Sequence, residues 1–461
     1  MKHYDAIIIG AGQAGIPLAR KLAKAGKKTI IIEKRVVGGT CINDGCTPTK
    51  AMVASARLAH MARKAGELGI EIGNIKVNLK AIKHRKDGIV KSFQSSSQKG
   101  LESIPGLTLL MGEARFTAEK EVTVELPDGK EEKLTAEWIF INTGGKTTIP
   151  QIEGLDTIDY LTSTTILDLE EVPEHLVIVG GNYIGLEFGQ MFRRFGSKVT
   201  ILERSSRILS REDEDISITL TEILEGEEII VLNNTQIEAI EGKKSGNISL
   251  NLKSDGSNKT IQCSHLLIAT GRTPQTGTLG LEYPGVRTDK KGNITVNEKL
   301  ETNVTGIYAL GDVNGGPAFT HIAYNDYTIV YRNLMENTNY TTRERPVPYC
   351  MFTDPQLGRI GISETEAKAQ GLNYKVAKIP MTHVARGIET GETLGFMKAI
   401  VDVDTKKILG AAILAAEGGE IVSVLEMAIE GGITYDRVRY CVFAHPTYSE
   451  SLNNLFMKIQ D

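Results

Sequence analysis

Residues 4–15 read YDAIIIGAGQAG, a short apolar strand that runs directly into the pattern G-x-G-x-x-G. Residues 16–25 then have helical spacing, and a second apolar strand over residues 28–32 ends at an acid. The glycines permit a tight turn and close approach of a pyrophosphate, the helix N-terminus favours its charge, and the acid accepts ribose hydroxyls. This order of features predicts a βαβ dinucleotide-binding unit. Its key residues are Gly10, Gly12, Gly15 and Glu33.

The same unit occurs a second time. Residues 176–185 read LVIVGGNYIG, a helical stretch follows, and residues 198–203 form a strand that ends at an acid. The spacing from the third glycine to the acid is the same in both copies. Asn182 replaces the middle glycine; asparagine tolerates a positive φ better than most residues, but its side chain is expected to crowd the pyrophosphate. The predicted residues of this second site are Gly180, Gly181, Asn182, Gly185 and Glu203.

Two cysteines follow the first unit. Residues 39–50 read GTCINDGCTPTK, in which Pro48 suits the first turn of a helix. A cysteine near a helix N-terminus has a lowered pKa, and two nearby thiols can cycle between dithiol and disulfide. Two unrelated cysteines and a zinc site are the alternatives, but zinc sites have shorter spacings and a second ligand pair. The sequence favours a redox pair, Cys41 and Cys46, that receives electrons from two dinucleotides.

Composition narrows the class of protein. Glycine makes up 47 of the 461 residues, as several nucleotide-binding turns require, and this length predicts roughly two to four domains. The 53 basic and 57 acidic residues favour neither nucleic acid nor an anionic membrane as a partner. Five cysteines do not fit a secreted disulfide framework, and no apolar run approaches the ~20 residues of a membrane span. The apolar run at residues 6–9 is too short for a signal peptide, so a cytoplasmic protein is predicted.

The motifs together resemble those of the flavin-dependent pyridine nucleotide–disulfide oxidoreductases, the family of lipoamide dehydrogenase, glutathione reductase and mercuric reductase. Further matching landmarks are NTGG at 142–145, ATGR at 269–272, ALGD at 309–312 and HPTYSE at 445–450. The resemblance implies an α/β fold with two Rossmann-like dinucleotide-binding domains and a C-terminal α+β dimerisation domain. It also implies FAD at the first unit, NADH or NADPH at the second, and a homodimer.

The implied domains are an FAD-binding domain at 1–148 and 271–340, an NAD(P)-binding domain at 149–270, and an interface domain at 341–461. Strand-rich stretches are expected over residues 107–126 and 230–252. In the C-terminal module, strand patterns at 374–379, 396–402 and 408–415 flank helical ones at 364–370 and 421–431.

The resemblance also implies residue roles at the cofactors. The FAD contacts, besides the first unit, are Gly39, Thr40, Lys50, Ala114, Thr143, Gly144, Asp312 and Thr320. Ala114 matches a backbone contact to the adenine, Asp312 matches the acid that bonds the ribityl chain, and Gly144 and Gly271 lie in the connections between the nucleotide domains. Tyr183 matches an aromatic that covers the nicotinamide site in some members, although simple core packing explains it equally well.

The implied catalytic set has three pairs. Cys41 is the thiol that meets the substrate, and Cys46 lies against the flavin. Lys50 is placed near the flavin ring and pairs with Glu187, since a buried lysine needs a partner. His445 is the general acid–base, oriented by Glu450 and delivered from the partner subunit. The remaining cysteines, Cys263, Cys350 and Cys441, are interpreted as structural, and no resident metal is expected.

The substrate is the least determined property. Thr49, the helix over 51–63 and the stretch GGPAFT at 315–320 are similar to the mercuric-reductase-like group. Mercuric reductase itself ends in a vicinal cysteine pair, but this chain has no cysteine after Cys441 and keeps the HPT motif. The expected function is therefore reduction of a disulfide or a soft metal ion, with dihydrolipoamide dehydrogenase as the alternative. Glu203 favours NADH over NADPH, although Arg204 and Arg207 nearby supply the opposite preference.

Overall fold

The structure is a computed structural model that describes residues 1–244, 246–343 and 345–460. Its strands are β1 (Lys2–Ile9), β2 (Thr29–Glu33), β3 (Leu107–Met111), β4 (Glu113–Ala118), β5 (Glu121–Glu125), β6 (Glu131–Ile141), β7 (Gly145–Thr147), β8 (Leu161–Thr162), β9 (His175–Val179), β10 (Lys198–Leu202), β11 (Ile230–Leu232), β12 (Thr235–Glu241), β13 (Ile248–Ser254), β14 (Ser257–Cys263), β15 (His265–Ile268), β16 (Arg272–Pro274), β17 (Ile307–Ala309), β18 (Tyr349–Met351), β19 (Gln356–Gly361), β20 (Tyr374–Pro380), β21 (Phe396–Asp402) and β22 (Ile408–Ala415). Its α-helices are α1 (Gly15–Lys24), α2 (Gly39–Asn43), α3 (Cys46–Lys64), α4 (Leu79–Glu102), α5 (Tyr183–Phe195), α6 (Glu214–Gly226), α7 (Thr320–Met335), α8 (Glu364–Ala369), α9 (Ala385–Thr390), α10 (Gly418–Glu430), α11 (Tyr435–Arg439) and α12 (Ser451–Phe456).

The chain divides into two compact units. Unit 1 comprises Met1–Ala51, Lys83–Thr148 and Gly271–Arg345. Its main sheet has the order β3-β2-β1-β6-β5-β4, and β17 pairs with the end of β6. Strands β3, β2, β1, β6 and β17 are parallel, whereas β4 and β5 form an antiparallel excursion. Parallel strands are covered on both faces, which is why residues 7–9 are continuously apolar and buried.

Unit 2 comprises Met52–Ile82, Ile149–Thr270 and Pro346–Asp461. It repeats the parallel pattern in a five-stranded sheet with the order β11-β10-β9-β15-β8, and adds the antiparallel sheet β12-β13-β14. Helix α5 begins directly after the second glycine turn and buries Leu186, Phe188 and Phe192 in the core of this unit.

The C-terminal part of unit 2 is an antiparallel sheet with the order β18-β19-β22-β21-β20. Helix α10 packs on β19 and β22, and α12 packs on β20 and β21. The core between sheet and helices includes Leu425, Leu452 and Phe456, each fully buried. This is the α+β module that the alternating strand and helix patterns predict.

The α/β fold class predicted from the sequence is confirmed. Two of the unit boundaries, 148/149 and 270/271, coincide with predicted domain boundaries. The division into three functional domains stays a prediction, because residues 149–270 and the C-terminal module belong to one compact unit together with residues 52–82. Asp461, the predicted end of the interface domain, lies outside the described residues. Within residues 1–244, 246–343 and 345–460, no helix is long and apolar enough to cross a membrane.

Candidate active site

The first glycine turn is shaped by close backbone contacts. Gly10 has φ +106°, and a Cβ there would lie 2.3 Å from the backbone oxygen of Asn142, so only glycine fits. The Asn142 side chain accepts the Gly15 N–H at 2.9 Å and donates to the Leu310 carbonyl at 2.9 Å. The N-cap residue of α1, Ala14, provides no side-chain hydrogen bond. The first turn of α1 is therefore suited to an anion such as the FAD pyrophosphate.

The acids that end β2 and follow β10 occupy equivalent positions. Glu33 accepts the N–H of Ala11 at 2.9 Å, and Glu203 accepts the N–H of Gly181 at 2.8 Å. In both cases the second carboxylate oxygen accepts the N–H two residues further along the chain. Each acid thus lies beside its own glycine turn, where the sequence predicts a ribose contact.

The second turn differs from the sequence expectation at Asn182. Its φ is −114°, so no positive φ is required, and that part of the expectation is wrong. Asn182 is instead the N-cap of α5, and its side-chain oxygen accepts the Tyr183 N–H at 2.9 Å. Asparagine is among the best N-cap residues, which gives the substitution a structural reason. Gly180, with φ +115°, packs against Ala269 as Gly10 packs against Asn142.

The two cysteines lie next to each other in unit 1. Cys41 is half-buried in α2, and Cys46 is exposed at the start of α3. Helix α3 begins at Cys46. Pro48, which suits the first turn of a helix, is the third residue of α3. Gly39 holds this segment against the first glycine turn, because a Cβ there would lie 2.7 Å from the Gly12 Cα. Thr40, between Gly39 and Cys41, belongs to the same short helix.

Thr320, the first residue of α7, also contacts the sulfurs. Its hydroxyl lies 3.6 Å from Cys46 Sγ and hydrogen bonds to Cys41. The N-termini of α3 and α7 therefore both lie at the dithiol, and the positive end of a helix dipole stabilises a thiolate. The resemblance implied an FAD contact for Thr320; its contact with the cysteines was not predicted.

The surroundings of Cys41 raise the pKa of its thiol. A hydrogen bond to the Cys46 sulfur, burial and the Cys46 charge all raise the pKa of the Cys41 thiol, and these effects outweigh the hydrogen bond from Thr320 and the charge of Lys50. A negative charge on one sulfur of the reduced pair raises the pKa of the other, so the two thiols do not ionise independently.

Lys50 lies one helical turn after Cys46 in α3. Glu187 lies in α5, is 6% exposed, and accepts the Phe352 N–H at 2.8 Å. The two residues belong to different compact units, and their pairing stays a prediction.

The other predicted FAD residues lie at the carboxyl ends of the unit 1 strands or on its antiparallel excursion. Asp312 lies in the short 3-10 turn Gly311–Asn314, with a carboxylate oxygen 3.3 Å from Arg272 Nε. Thr143 donates to the Gln275 carbonyl at 2.8 Å, and Gly144 accepts the Gln275 N–H at 2.9 Å. Gly271, which the sequence predicts as a contact of the pyridine nucleotide and not of FAD, directly precedes β16, which pairs antiparallel with β7. Ala114 is buried in β4.

His445 and Glu450 are brought together near the C-terminus. Nδ1 of His445 lies 2.9 and 3.0 Å from the two Glu450 carboxylate oxygens, and the histidine side chain is 70% exposed. A carboxylate on Nδ1 fixes the tautomer and leaves Nε2 to exchange a proton. The pair therefore has the geometry of an oriented acid–base catalyst, and its catalytic role stays a prediction.

The three other cysteines differ from one another. Cys263 is buried, and burial raises its pKa to about 12, which fits a structural thiol. Cys350 is half-buried beside Gly419. Cys441 is exposed, so a role in core packing does not apply to it.

Sequence reasoning missed Asn142 as a functional residue. Its amide ties the Gly15 turn to the segment that precedes Asp312. The available signal was its position at the end of an apolar strand immediately before Thr143 and Gly144.

Comparison with known proteins agrees with this geometry. Residues 4–326 match the family described as pyridine nucleotide-disulphide oxidoreductase, and residues 347–456 match the dimerisation domain of that family. The probable pyridine nucleotide-disulfide oxidoreductase RclA of Escherichia coli strain K12 is 37% identical, over 100% of both chains. A mercuric reductase of Staphylococcus aureus is 33% identical, over 97% of this chain and 81% of that protein. A mitochondrial dihydrolipoyl dehydrogenase of Pisum sativum is 32% identical, over 99% of this chain and 91% of that protein.

A solved structure is also similar to this chain over its whole length. The Cu(II) complex of the HOCl-induced flavoprotein disulfide reductase RclA from Escherichia coli matches with a TM-score of 0.92 and 36% identity, over 100% of both chains. The chain therefore belongs to the pyridine nucleotide-disulfide oxidoreductase family and is an enzyme that binds FAD and uses a pyridine nucleotide.

Proposed function

We propose that this enzyme passes electrons from NAD(P)H through FAD to a Cys41–Cys46 disulfide, and from the dithiol to a disulfide or a soft metal ion. The observation that carries this proposal is the contact of the two sulfurs at the N-termini of α3 and α7. A pair of thiols in that environment is activated for exchange, because a thiolate there is stabilised by both helix dipoles.

The chain's own residues have distinct roles in this proposal. Gly10, Gly12 and Gly15 hold the FAD pyrophosphate, and Asp312 holds its ribityl chain. The corresponding turn at Gly180 and Gly185 holds the pyridine nucleotide. When bound, FAD supplies the two-electron exchange between the nicotinamide and the sulfurs. Cys46 carries the thiolate that faces the cofactor, and Cys41 carries the thiol that meets the substrate.

Reduction of a substrate disulfide then balances in two exchanges. Cys41 gives its proton to His445 and attacks one substrate sulfur to form a mixed disulfide, and the other sulfur leaves as a thiol when His445 passes that proton to it. The Cys46 thiolate then attacks the Cys41 sulfur, which restores the protein disulfide and releases the second sulfur as a thiolate that takes a proton from solvent. Two electrons have passed from the dithiol to the substrate. Glu450 stabilises the histidinium that serves as the proton donor.

Dihydrolipoamide oxidation is the second candidate, because it uses the same parts in reverse. The His445–Glu450 pair favours it, since a proton must leave the incoming dithiol. Transfer of electrons to a metal ion involves no leaving sulfur, and therefore no such proton. The relative solved as a Cu(II) complex and the mercuric reductases make soft metal ions the competing substrate class.

The proposal includes a homodimer in which His445 serves the partner's dithiol, a cytoplasmic location, and NADH as the preferred nucleotide. The dimerisation-domain match over residues 347–456 supports association. Glu203 beside the second turn supports NADH, since a carboxylate there repels a 2′-phosphate.

The test uses two serine variants of the FAD-loaded protein. Two-electron reduction of the wild type should produce a long-wavelength band from a thiolate next to the flavin. Cys46→Ser should abolish that band while FAD stays bound, whereas Cys41→Ser should keep or enhance it. The opposite pattern would reverse the two sulfur roles. Steady-state rates with lipoamide, glutathione disulfide, Hg(II) and Cu(II) then identify the substrate class.

A further inference from the structure

The two glycine turns of this chain are built alike, so they can be compared position by position. A Cβ on Gly10 would lie 2.3 Å from the backbone oxygen of Asn142, and a Cβ on Gly180 would lie 2.5 Å from that of Ala269. Asn142 directly follows β6, which pairs with β1, and Ala269 directly follows β15, which pairs with β9. Asn142 and Ala269 therefore occupy equivalent positions beside their glycine turns.

The side chains at these equivalent positions differ in chemistry. Asn142 is 8% exposed; its Oδ1 accepts the Gly15 N–H at 2.9 Å, and its Nδ2 donates to the Leu310 carbonyl at 2.9 Å. Ala269 carries a methyl group, which can neither accept nor donate a hydrogen bond. A buried amide therefore ties the first glycine turn to another segment of unit 1, whereas residue 269 provides no such tie for the second turn.

The segment at the far end of this tie is itself fixed. It directly follows β17, and its next residue, Gly311, donates its N–H to Asp326 at 2.8 Å. Asp326 is fully buried in α7 and forms an ion pair with Arg345. Gly311 also begins the short turn that contains Asp312. Asn142 thus fastens the first glycine turn to an anchored segment, and it connects the two places where FAD is proposed to bind.

We propose that Asn142 is a staple that holds the first glycine turn in its binding conformation, so that FAD stays bound through turnover while the pyridine nucleotide exchanges at the second turn. The inference rests on the proposed function, which assigns FAD to the first turn and NAD(P)H to the second. A turn that is already held loses less conformational entropy when a ligand binds, which favours a long-lived complex. Asn142 is a positioning residue, because it acts on the cofactor through the backbone of the turn.

The test measures FAD release from the loaded enzyme after Asn142→Ala, which installs the residue that the second unit has. Release is followed by the rise in flavin fluorescence when the holoenzyme is diluted. Loss of the two buried hydrogen bonds should raise the release rate constant by roughly 5- to 100-fold. Asp326→Asn, which removes the charge that pairs with Arg345, weakens the anchor and should raise it to a smaller extent. If neither variant releases FAD faster than the wild type, the staple is overturned.

A matched control separates the staple from a general loss of stability. Thr235 is buried in β12 of unit 2, and its hydroxyl lies 2.8 Å from both the Asn233 carbonyl and the Ser254 hydroxyl. Thr235→Val should lower the Tm without changing FAD release. Equal acceleration of release in Thr235→Val and Asn142→Ala would overturn the staple. Hydrogen–deuterium exchange of the loaded Asn142→Ala enzyme should be faster than in the wild type over residues 10–18 and unchanged over residues 176–188.

A second ligand distinguishes failure of the staple from failure of the proposed function. Tetrahydro-NAD, an analogue of NADH that donates no hydride, is titrated into each variant by calorimetry with FAD in excess. Its Kd should be the same in Asn142→Ala and the wild type. A raised Kd with unchanged FAD release would mean that the cofactors are assigned to the wrong turns, which overturns the proposed function. An unchanged Kd with unchanged FAD release overturns the staple alone.

Discussion

Asn182 illustrates how one residue can serve two requirements at the second turn. It stands where the middle glycine of the motif is expected, and its side chain caps the first N–H of α5. The cap stabilises the helix, but it also occupies an N–H that a pyrophosphate would otherwise accept.

Asn182→Gly should therefore lower the KM for NADH, by roughly 3- to 10-fold, which corresponds to a net gain of about 1 kcal/mol for one hydrogen bond. Glycine is an adequate N-cap, so the stability loss should be only a few tenths of a kcal/mol. Asn182→Ala is the control, since it loses the cap and costs ~1 kcal/mol. Steady-state kinetics and thermal unfolding of both variants measure the two effects. A raised KM in Asn182→Gly would mean that the asparagine side chain itself binds the nucleotide.

Thiol reactivity should follow burial at two of the cysteines outside the redox pair, Cys263 and Cys441. Cys263 is buried with its pKa raised to about 12, whereas Cys441 is exposed. Iodoacetamide at pH 8 should modify Cys441 in the native protein and leave Cys263 intact until the chain is unfolded. Peptide mass spectrometry reads out both sites. Equal labelling of the two would contradict the burial of β14.

The N-terminus of helix α8 is held by Asp213, which lies 151 positions before Glu364 in the chain. Asp213 accepts the N–H groups of Glu364 at 3.0 Å and Thr365 at 2.9 Å, and lies 3.1 Å from the buried Lys398. Burial alone would raise the pKa of Asp213, but the hydrogen bonds from Thr365 and Glu364 and the contact with Lys398 lower it to about 2. One carboxylate thus joins the loop before α6, helix α8 and strand β21.

A folded-state pKa below the unfolded value stabilises the protein above about pH 4, and this contribution is lost as the pH falls through 4 towards 2. Asp213→Asn should lower the free energy of unfolding by about 2 kcal/mol at pH 7, and the difference should shrink near pH 3. Asp215→Asn is the matched control, because Asp215 contacts the same lysine but is 30% exposed. Denaturant unfolding followed by circular dichroism at several pH values checks the prediction. A difference that does not vary with pH would exclude the carboxylate charge as its source.

The sequence predicted the elements of both nucleotide units because repeated local patterns specify them. A strand, a glycine turn and a helix are each set within about a dozen residues, so Gly10, Gly180 and their acids could be found without a structure. Strands β18 and β19 and helices α4, α6, α7, α9, α11 and α12 were not predicted. The short elements among them carry too little periodicity, but α4, with 24 residues, was missed despite its length. The contacts of Thr320 with the cysteines and of Asn142 with Leu310 join residues far apart in the chain, which no local pattern encodes.

At the scale of the whole molecule, the proposed acid–base role of His445 depends on the formation of a dimer. Its side chain is 70% exposed and held by Glu450, an arrangement suited to a site outside its own module. The protein should therefore be a homodimer, since neither subunit would complete its own site. Sedimentation velocity measures this directly. A monomer with full disulfide reductase activity would rule out delivery of His445 from a partner.

His445→Ala should slow turnover of lipoamide or another disulfide by ~10²–10⁴, the usual cost of losing a positioned acid–base. Reduction of the flavin by NADH should stay near normal, because that step needs no proton from this histidine. Metal-ion reduction should survive as well. Stopped-flow absorbance separates the first half-reaction from the second. If every activity is unchanged, the physiological substrate is not a disulfide or dithiol.

The contact between Cys46 and Thr320 spans 274 positions in the chain. A ribosome adds ~5–20 residues per second, so the cysteines emerge roughly 15 to 55 s before the threonine that completes their surroundings. During that interval the growing chain carries two thiols without the α7 helix dipole that stabilises the thiolate. The reactivity of this redox centre is therefore acquired late in biosynthesis, after most of the polypeptide has left the ribosome.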